Sequence, residues 1–97
     1  MTDIRVAEVV RAGDRFEARA ADGTVLGATY YDVVDGAVAF THTEVPPPYE
    51  GKGVASALVQ GALDQVRAEG SPVVALCPYV NAWMLRHPQY TSLLRRR

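Results

Sequence analysis

Pro46-Pro47-Pro48 divides the chain into two parts of different character. None of these residues can donate a backbone hydrogen bond, so no sheet pairing continues through them. An apolar strand runs into this break, and a long amphipathic helix leaves from Gly51-Lys52-Gly53 just beyond it. Glycine has no Cβ, so the backbone can turn tightly there and approach a ligand closely. The first turn of the helix that follows carries free N–H groups and the positive end of the helix dipole. Together these features make an anion site, most often for phosphate. Lys52 adds a full positive charge at the same place. The plainer reading of the same residues is a tight strand-to-helix turn.

Upstream of the prolines the pattern is that of strands. Ile4–Val10 reads as the first, and Gly13-Asp14 turns the chain. Arg15–Ala20 alternates, with Phe16, Ala18 and Ala20 on one face and Arg15, Glu17 and Arg19 on the other, which predicts a half-buried strand. Asp22-Gly23 is a hairpin signal. Thr24–Val34 is rich in β-branched and aromatic residues and predicts a third strand. Asp35-Gly36 makes a second tight turn into a fourth strand, Ala37–Val45. A period of two places Val38, Phe40, His42 and Glu44 on one face, and Ala39, Thr41, Thr43 and Val45 on the other.

Downstream, Val54, Leu58, Val59, Ala62, Leu63 and Val66 recur at the spacing of a helix packed on a sheet, over about Val54 to Glu69. Gly61 should cost this helix about 1 kcal/mol against alanine, and close helix–sheet packing is the expected compensation. Gly70 ends it as a C-cap. Pro72–Cys77 is a short continuous apolar run, the pattern of a strand covered on both faces. It completes a β-α-β unit with a right-handed crossover. Pro78 suits the first turn of a last helix carrying Val80, Trp83, Met84 and His87, which Pro88 stops. The expected class is α+β: a mixed, mostly antiparallel sheet of about five strands with a β-α-β unit and a C-terminal helix.

The chain's 97 residues suit one domain over 1–97, with enough chain for one core. Its formal net charge is −1, which gives no global electrostatic case for nucleic acid or an anionic membrane. The basic cluster Arg95-Arg96-Arg97 reads as a frayed, solvated tail. The single cysteine, Cys77, cannot form an internal disulfide, which fits a reducing compartment. No apolar run approaches the roughly 18 residues needed to span a bilayer. Met1–Arg5 lacks the apolar core of a signal peptide, so the expected address is cytoplasmic. A monomer is the default expectation.

A meander followed by strand, glycine loop, helix, strand and helix resembles the core of the GNAT N-acetyltransferase superfamily. More narrowly, the runs Phe40–Val45, Gly51–Val54, Cys77–Val80 and Arg86–Tyr90 are similar to the small YjdJ-like members. The resemblance extends from about Phe16 to Tyr90. It implies a minimal GNAT fold that binds acetyl-CoA. The Gly51-Lys52-Gly53 loop and the amides of Val54, Ala55 and Ser56 would hold the CoA pyrophosphate. Backbone groups at Thr43, Glu44 and Val45 would pair with the pantetheine, in a gap where the fourth and fifth strands splay apart. The chain also departs from the pattern. Pro48 stands where Gln or Arg usually opens the loop. Val10–Phe16 leaves no room for the two helices that normally help bind the acceptor. Met84 stands near the position of a tyrosine often found in the last helix.

Acetyl transfer to an amine needs a base, donors that polarise the thioester carbonyl, and a proton for the departing sulfur. Histidine ordinarily titrates nearest neutral pH, and His42 sits at the mouth of the fourth strand, so it is a candidate base. It could equally hold the loop by a hydrogen bond. Glu44 is a second base candidate or a partner that orients His42, or else a surface carboxylate. Cys77 precedes Pro78 as an N-cap, and a helix N-terminus favours a thiolate. It could take the acetyl group covalently or assist the CoA sulfur, or it could be a small buried apolar residue. Tyr79 could donate the proton that Met84 cannot, or pack with a wet hydroxyl. No set of residues has zinc-ligand spacing, so no metal is expected.

The reading is an acetyl-CoA-dependent N-acetyltransferase acting on a primary amine, a lysine side chain or a small amine, directly or through Cys77. A missing acceptor-binding layer would suit an exposed lysine of another protein. The alternative is a non-catalytic CoA or acyl-CoA binding module. A third reading is an interaction domain whose glycine loop is only a turn.

Overall fold

A computed structural model describes residues 4–95. Five strands lie in sequence order, β1 (Glu8–Ala12), β2 (Arg15–Arg19), β3 (Val25–Val34), β4 (Ala37–Glu44) and β5 (Val73–Ala75). The first four pair antiparallel, and β5 joins β4 in parallel through the helix α1 (Val54–Glu69). A second helix, α2 (Pro78–Arg86), follows β5. This is the expected mixed α+β sheet with its β-α-β unit. Of the basic cluster, Arg96 and Arg97 lie outside the described residues. Arg95 is not frayed, because its amide donates to the Val73 carbonyl at 2.8 Å and its guanidinium to the carbonyls of Val34 and Asp35.

Helix α1 buries Val54, Leu58, Val59, Ala62, Leu63 and Val66, the stripe that its periodicity predicts. Gly70 ends it in the left-handed region at φ 78°, donating to the Arg67 carbonyl. Helix α2 buries Val80, Trp83 and Met84. Both helices join one cluster with Phe16, Ala18, Leu26 and Phe40 of the sheet. The Trp83 indole donates to Ser56 Oγ at 2.9 Å, which sets α2 beside α1.

Several boundaries move. β1 runs to Ala12 rather than ending at Val10, because the Gly13-Asp14 turn places Ala12 opposite Arg15. The expectation that β5 is covered on both faces is wrong. It is the edge of the strand ladder, only three residues long, with Val74 and Ala75 half-buried and Leu76 exposed. A 3-10 helix, Pro88–Leu93, follows α2 and was not expected. Its Tyr90 packs on Trp83 and donates to Asp64 at 2.7 Å.

Strand β4 departs from the expected alternation. Tyr31 pairs with Phe40, but Tyr30 pairs with His42, so Thr41 is an extra residue in the strand. Such a bulge breaks the period of two and bends the strand. His42 and Glu44 therefore do not share the face of Val38 and Phe40. Phe40 is buried, whereas the His42 and Glu44 side chains are 63% and 56% exposed. Register confirms the assignment across three strands. Arg15, Tyr30 and His42 form one outward row, and Glu17, Ala28 and Glu44 form the next. Phe16, Thr29 and Thr43 form an inward row.

Candidate functional site

The site forms where β4 and β5 part company. Their pairing ends at Phe40 and Ala75, yet β4 continues to Glu44. The amides of Leu76 and Cys77 both donate to the Phe40 carbonyl, at 3.0 and 2.8 Å, as the chain turns away into α2. Beyond Phe40 the β5-facing edge of β4 thus has no ladder partner in β5.

One cleft opens on the helix side of this gap. Its volume is about 280 Å³, and Val45, Gly51, Gly53, Ser56 and Tyr79 are among the residues that line it. Gly51 and Gly53 sit at φ 75° and 79°, which L side chains rarely adopt. A Cβ built at either meets nothing within 4 Å, so the loop is open to an approaching group. The first turn of α1 holds no acidic residue and no side-chain cap. Its N–H groups are therefore available, with the positive end of the dipole behind them. These donors and this open approach fit a phosphate group. The carboxylate of Glu50 also belongs to the rim.

Of the loop residues singled out in the sequence, Val45, Gly51, Gly53, Val54, Ala55 and Ser56 line this cleft together. Lys52 is exposed and stands outside the lining. Ser56 Oγ already accepts the Trp83 indole proton. Thr43 does not reach the loop. Its hydroxyl lies 2.8 Å from Thr29 Oγ1 and 3.4 Å from Cys77 Sγ, inside the fold.

The four candidate chemical groups divide between two sides of the sheet. Cys77 caps α2 with its backbone, is 3% exposed and touches Thr43. Tyr79 lines the cleft, and burial raises its phenol above the usual range, opposed by Arg86. It therefore holds its proton through neutral pH. His42 and Glu44 lie on the opposite, outward face. His42 Nε2 is 3.4 Å from Glu44 Oε2, and Tyr30 Oη donates to Glu44 Oε1 at 3.1 Å. The His42 ring stacks on Tyr30, with centroids 6.0 Å apart. The hydrogen bond to Glu44, with desolvation second, raises the Tyr30 phenol.

A second cavity, of about 500 Å³, lies on that outward face. Ala28 lies between Glu17 and Glu44 in the outward row, and Pro46 and Pro47 line one end. Val45 lines both cavities and so separates them. Sequence reasoning missed Arg15, Glu17, Ala28 and Tyr30 as lining residues. Their outward alternation on β2 was visible, but only cross-strand register assembles them. Among the described residues no group of three His, Cys, Asp or Glu side chains is placed to hold a metal ion. No helix among them is long and apolar enough to cross a membrane.

The sequence pattern of the GCN5-related N-acetyl-transferase family matches residues 15–93. The chain belongs to that family. Protein NATD1 of Mus musculus is 38% identical over 56 residues, which cover 56% of this chain. The match spans about half, 51%, of that relative's length. The solution structure of a GCN5-like protein from Staphylococcus aureus superposes with a TM-score of 0.70 at 19% identity, covering 93% of this chain and 89% of that one. A ribosomal-protein-alanine N-acetyltransferase from Brucella melitensis biovar Abortus superposes at 0.52 and 23% identity, covering 86% of this chain and 63% of that one. At these identities the two structures share the GNAT fold with this family member.

Proposed function

We propose that this chain is an N-acetyltransferase that moves acetyl from acetyl-CoA to a primary amine. Family membership supports the class of reaction, and the fold supplies the gap it needs. The observation that carries the reading is the open glycine loop and uncapped first turn of α1, set at the mouth of the β4–β5 gap. Gly51, Gly53 and the amides of Val54–Ser56 would hold the pyrophosphate. The edge of Glu44 and Val45 would receive the pantetheine. When bound, acetyl-CoA supplies an activated thioester carbonyl.

The protein's own groups then divide the proton traffic. On the outward face, Glu44 with His42 beside it takes a proton from the acceptor ammonium. In the cleft, the Tyr79 hydroxyl retains its proton and would give it to a departing sulfur. Cys77 is enclosed and hydrogen-bonded to Thr43, which favours direct attack by the amine over a route through its thiol. Placement among the small YjdJ-like members, residues 1–97 as a single domain, monomeric state and a cytoplasmic address belong to the same proposal. A protein lysine and a small amine are both chemically suitable acceptors.

The test is calorimetric titration with acetyl-CoA on the wild type and on Gly53→Asn. Asparagine tolerates the left-handed region better than other side chains, so the loop keeps its path. Its side chain would still enter the space where a phosphate approaches. Binding in the micromolar range that weakens at least tenfold in the variant is expected. Absence of binding by the folded wild type would overturn the reading, and tight binding without turnover on any amine would favour a non-catalytic acyl-CoA module.

A further inference from the structure

We infer that the outward cavity is the acceptor site and that it selects an ω-amino carboxylate, a primary amine joined to a carboxylate by a short carbon chain. This rests on the acetyltransferase reading above and deepens it.

The cavity has two unlike walls. On the β4 side stands Glu44, whose partners are a phenol and an imidazole rather than a permanent cation. It offers an unneutralised carboxylate beside Val45, where the cavity adjoins the cofactor cleft. On the β2 side stand Arg15 and Glu17. The Glu17 side chain is only 11% exposed and is held by Arg15 at 3.0 Å and by Arg19 at 2.7 and 3.1 Å. Those two guanidiniums keep its carboxyl below the usual range, Arg19 contributing most. Its charge is thus compensated by two guanidiniums, and it attracts an ammonium group less than Glu44 does.

Arg15 spends Nε on Glu17 and Nη1 on Asp14, whose side chain is 71% exposed. These bonds do not use Nη2. The guanidinium lies 5.7 Å from the Tyr30 ring centroid, so the aromatic ring orients it along the same row as His42. An arginine edge with an unused N–H pair is a suitable donor to a carboxylate.

Strand spacing sets the ligand's length. β2 and β4 flank β3, so the two walls are about 10 Å apart at the backbone. Side chains shorten that span. An α-amino acid's own ammonium and carboxylate are too close together to reach both walls, whereas a short methylene chain would reach and would lie over Ala28. Ala28 has a side chain small enough to leave that floor open, and Val25, Pro46 and Pro47 supply apolar contact for the methylenes.

The experiment compares δ-aminovalerate with pentylamine, which matches its chain but lacks the carboxylate. Wild type and Arg15→Met are assayed for CoA release, with thermal melting to show that both are folded. The wild type should favour δ-aminovalerate by about tenfold or more in kcat/KM, the order expected for one charge-assisted hydrogen bond. Arg15→Met should abolish that preference by raising KM for δ-aminovalerate about tenfold more than for pentylamine. Equal use of the two amines by the wild type overturns the inference. Equal slowing of both by Arg15→Met, or activity confined to a lysine-containing protein, overturns it as well.

Direct binding separates this inference from the transferase reading. Adding δ-aminovalerate should shift the amide resonances of Ala28 and Glu44 in the wild type, and the shifts should be lost in Ala28→Leu, which fills the floor. No shift in the folded wild type overturns the acceptor site even if acetyl-CoA binds. Shifts without any acetyl-CoA binding sustain the pocket's ligand class and refute the transferase reading instead.

Discussion

Gly61 offers a test in which helix propensity and packing predict opposite signs. By propensity alone, Gly61→Ala in the middle of α1 should stabilise the protein by about 1 kcal/mol. A Cβ at this position, however, would meet Val9 Cγ2 at 2.5 Å, Cβ at 2.8 Å and Cγ1 at 3.3 Å. Val9 is β-branched and stiff at χ1, so its methyl groups cannot simply swing away. Its backbone is also held, because it pairs with Ala18 and its carbonyl accepts from Gln65 Nε2 at 2.7 Å. Overpacking of this kind costs about 1–3 kcal/mol. The net expectation is a loss of about 0–2 kcal/mol, or up to roughly 8–16 °C in melting temperature at about 4–8 °C per kcal/mol. Urea unfolding of a double-mutant cycle with Val9→Ala isolates the cause. Removing both methyl groups should reduce the penalty by about 1 kcal/mol, leaving only the Val9 Cβ contact. A Gly61→Ala variant more stable than wild type, or a penalty unchanged beside Ala at position 9, would refute the packing explanation.

Ser56→Ala should cost about 1–3 kcal/mol in urea unfolding, because Trp83 is 1% exposed and its indole would lose its acceptor. Glu17 gives a pH signature. Arg19 and Arg15 depress its folded pKa, so its contribution is present above the ordinary glutamate range and is lost as pH falls through the lower folded value. The stability difference between wild type and Glu17→Gln, measured by denaturation at a series of pH values, should be largest above that range and shrink with acidification. A constant difference would contradict the linkage. Cys77→Ala should retain turnover, and mass spectrometry of wild type with acetyl-CoA should show no acetyl adduct on Cys77. A large loss of turnover together with such an adduct would establish the covalent route.

Much of the fold follows from local patterns. The stripe from Val54 to Val66 needs only the helical period, and Gly70 needs only its left-handed backbone to stop the helix. Asp35-Gly36 likewise sits in a tight turn with both residues at positive φ. β5 was misjudged because a continuous apolar run suits both a covered strand and a short edge strand that leads Leu76 out to solvent. The bulge at Thr41 was invisible for a different reason. Phe40–Glu44 is compatible with unbroken alternation, and the extra residue is defined only by what β3 places opposite it. The glycine loop was therefore legible, whereas the distribution of His42, Glu44, Thr43 and Cys77 between two sides was not.

That distribution has a chemical consequence. Without an extra residue, Phe40 and His42 would face the same way, and an acid–base pair would have to share the helix side with the enclosed thiol. Thr41 instead turns His42 and Glu44 outward while Thr43 turns inward to Cys77. Gly27 lets the adjoining strand stay close at this point: a Cβ there would lie 3.1 Å from the Glu44 carbonyl and 3.1 Å from Val45 Cγ2. The backbone of Glu44–Val45 is thereby held as a thin partition, with the phosphate-suited loop on one side and an acidic, amine-suited wall on the other. On the proposed reading, cofactor and acceptor would enter from the two sides of this strand and meet where it parts from β5. One inserted threonine and one glycine thus account for two openings that meet at Val45.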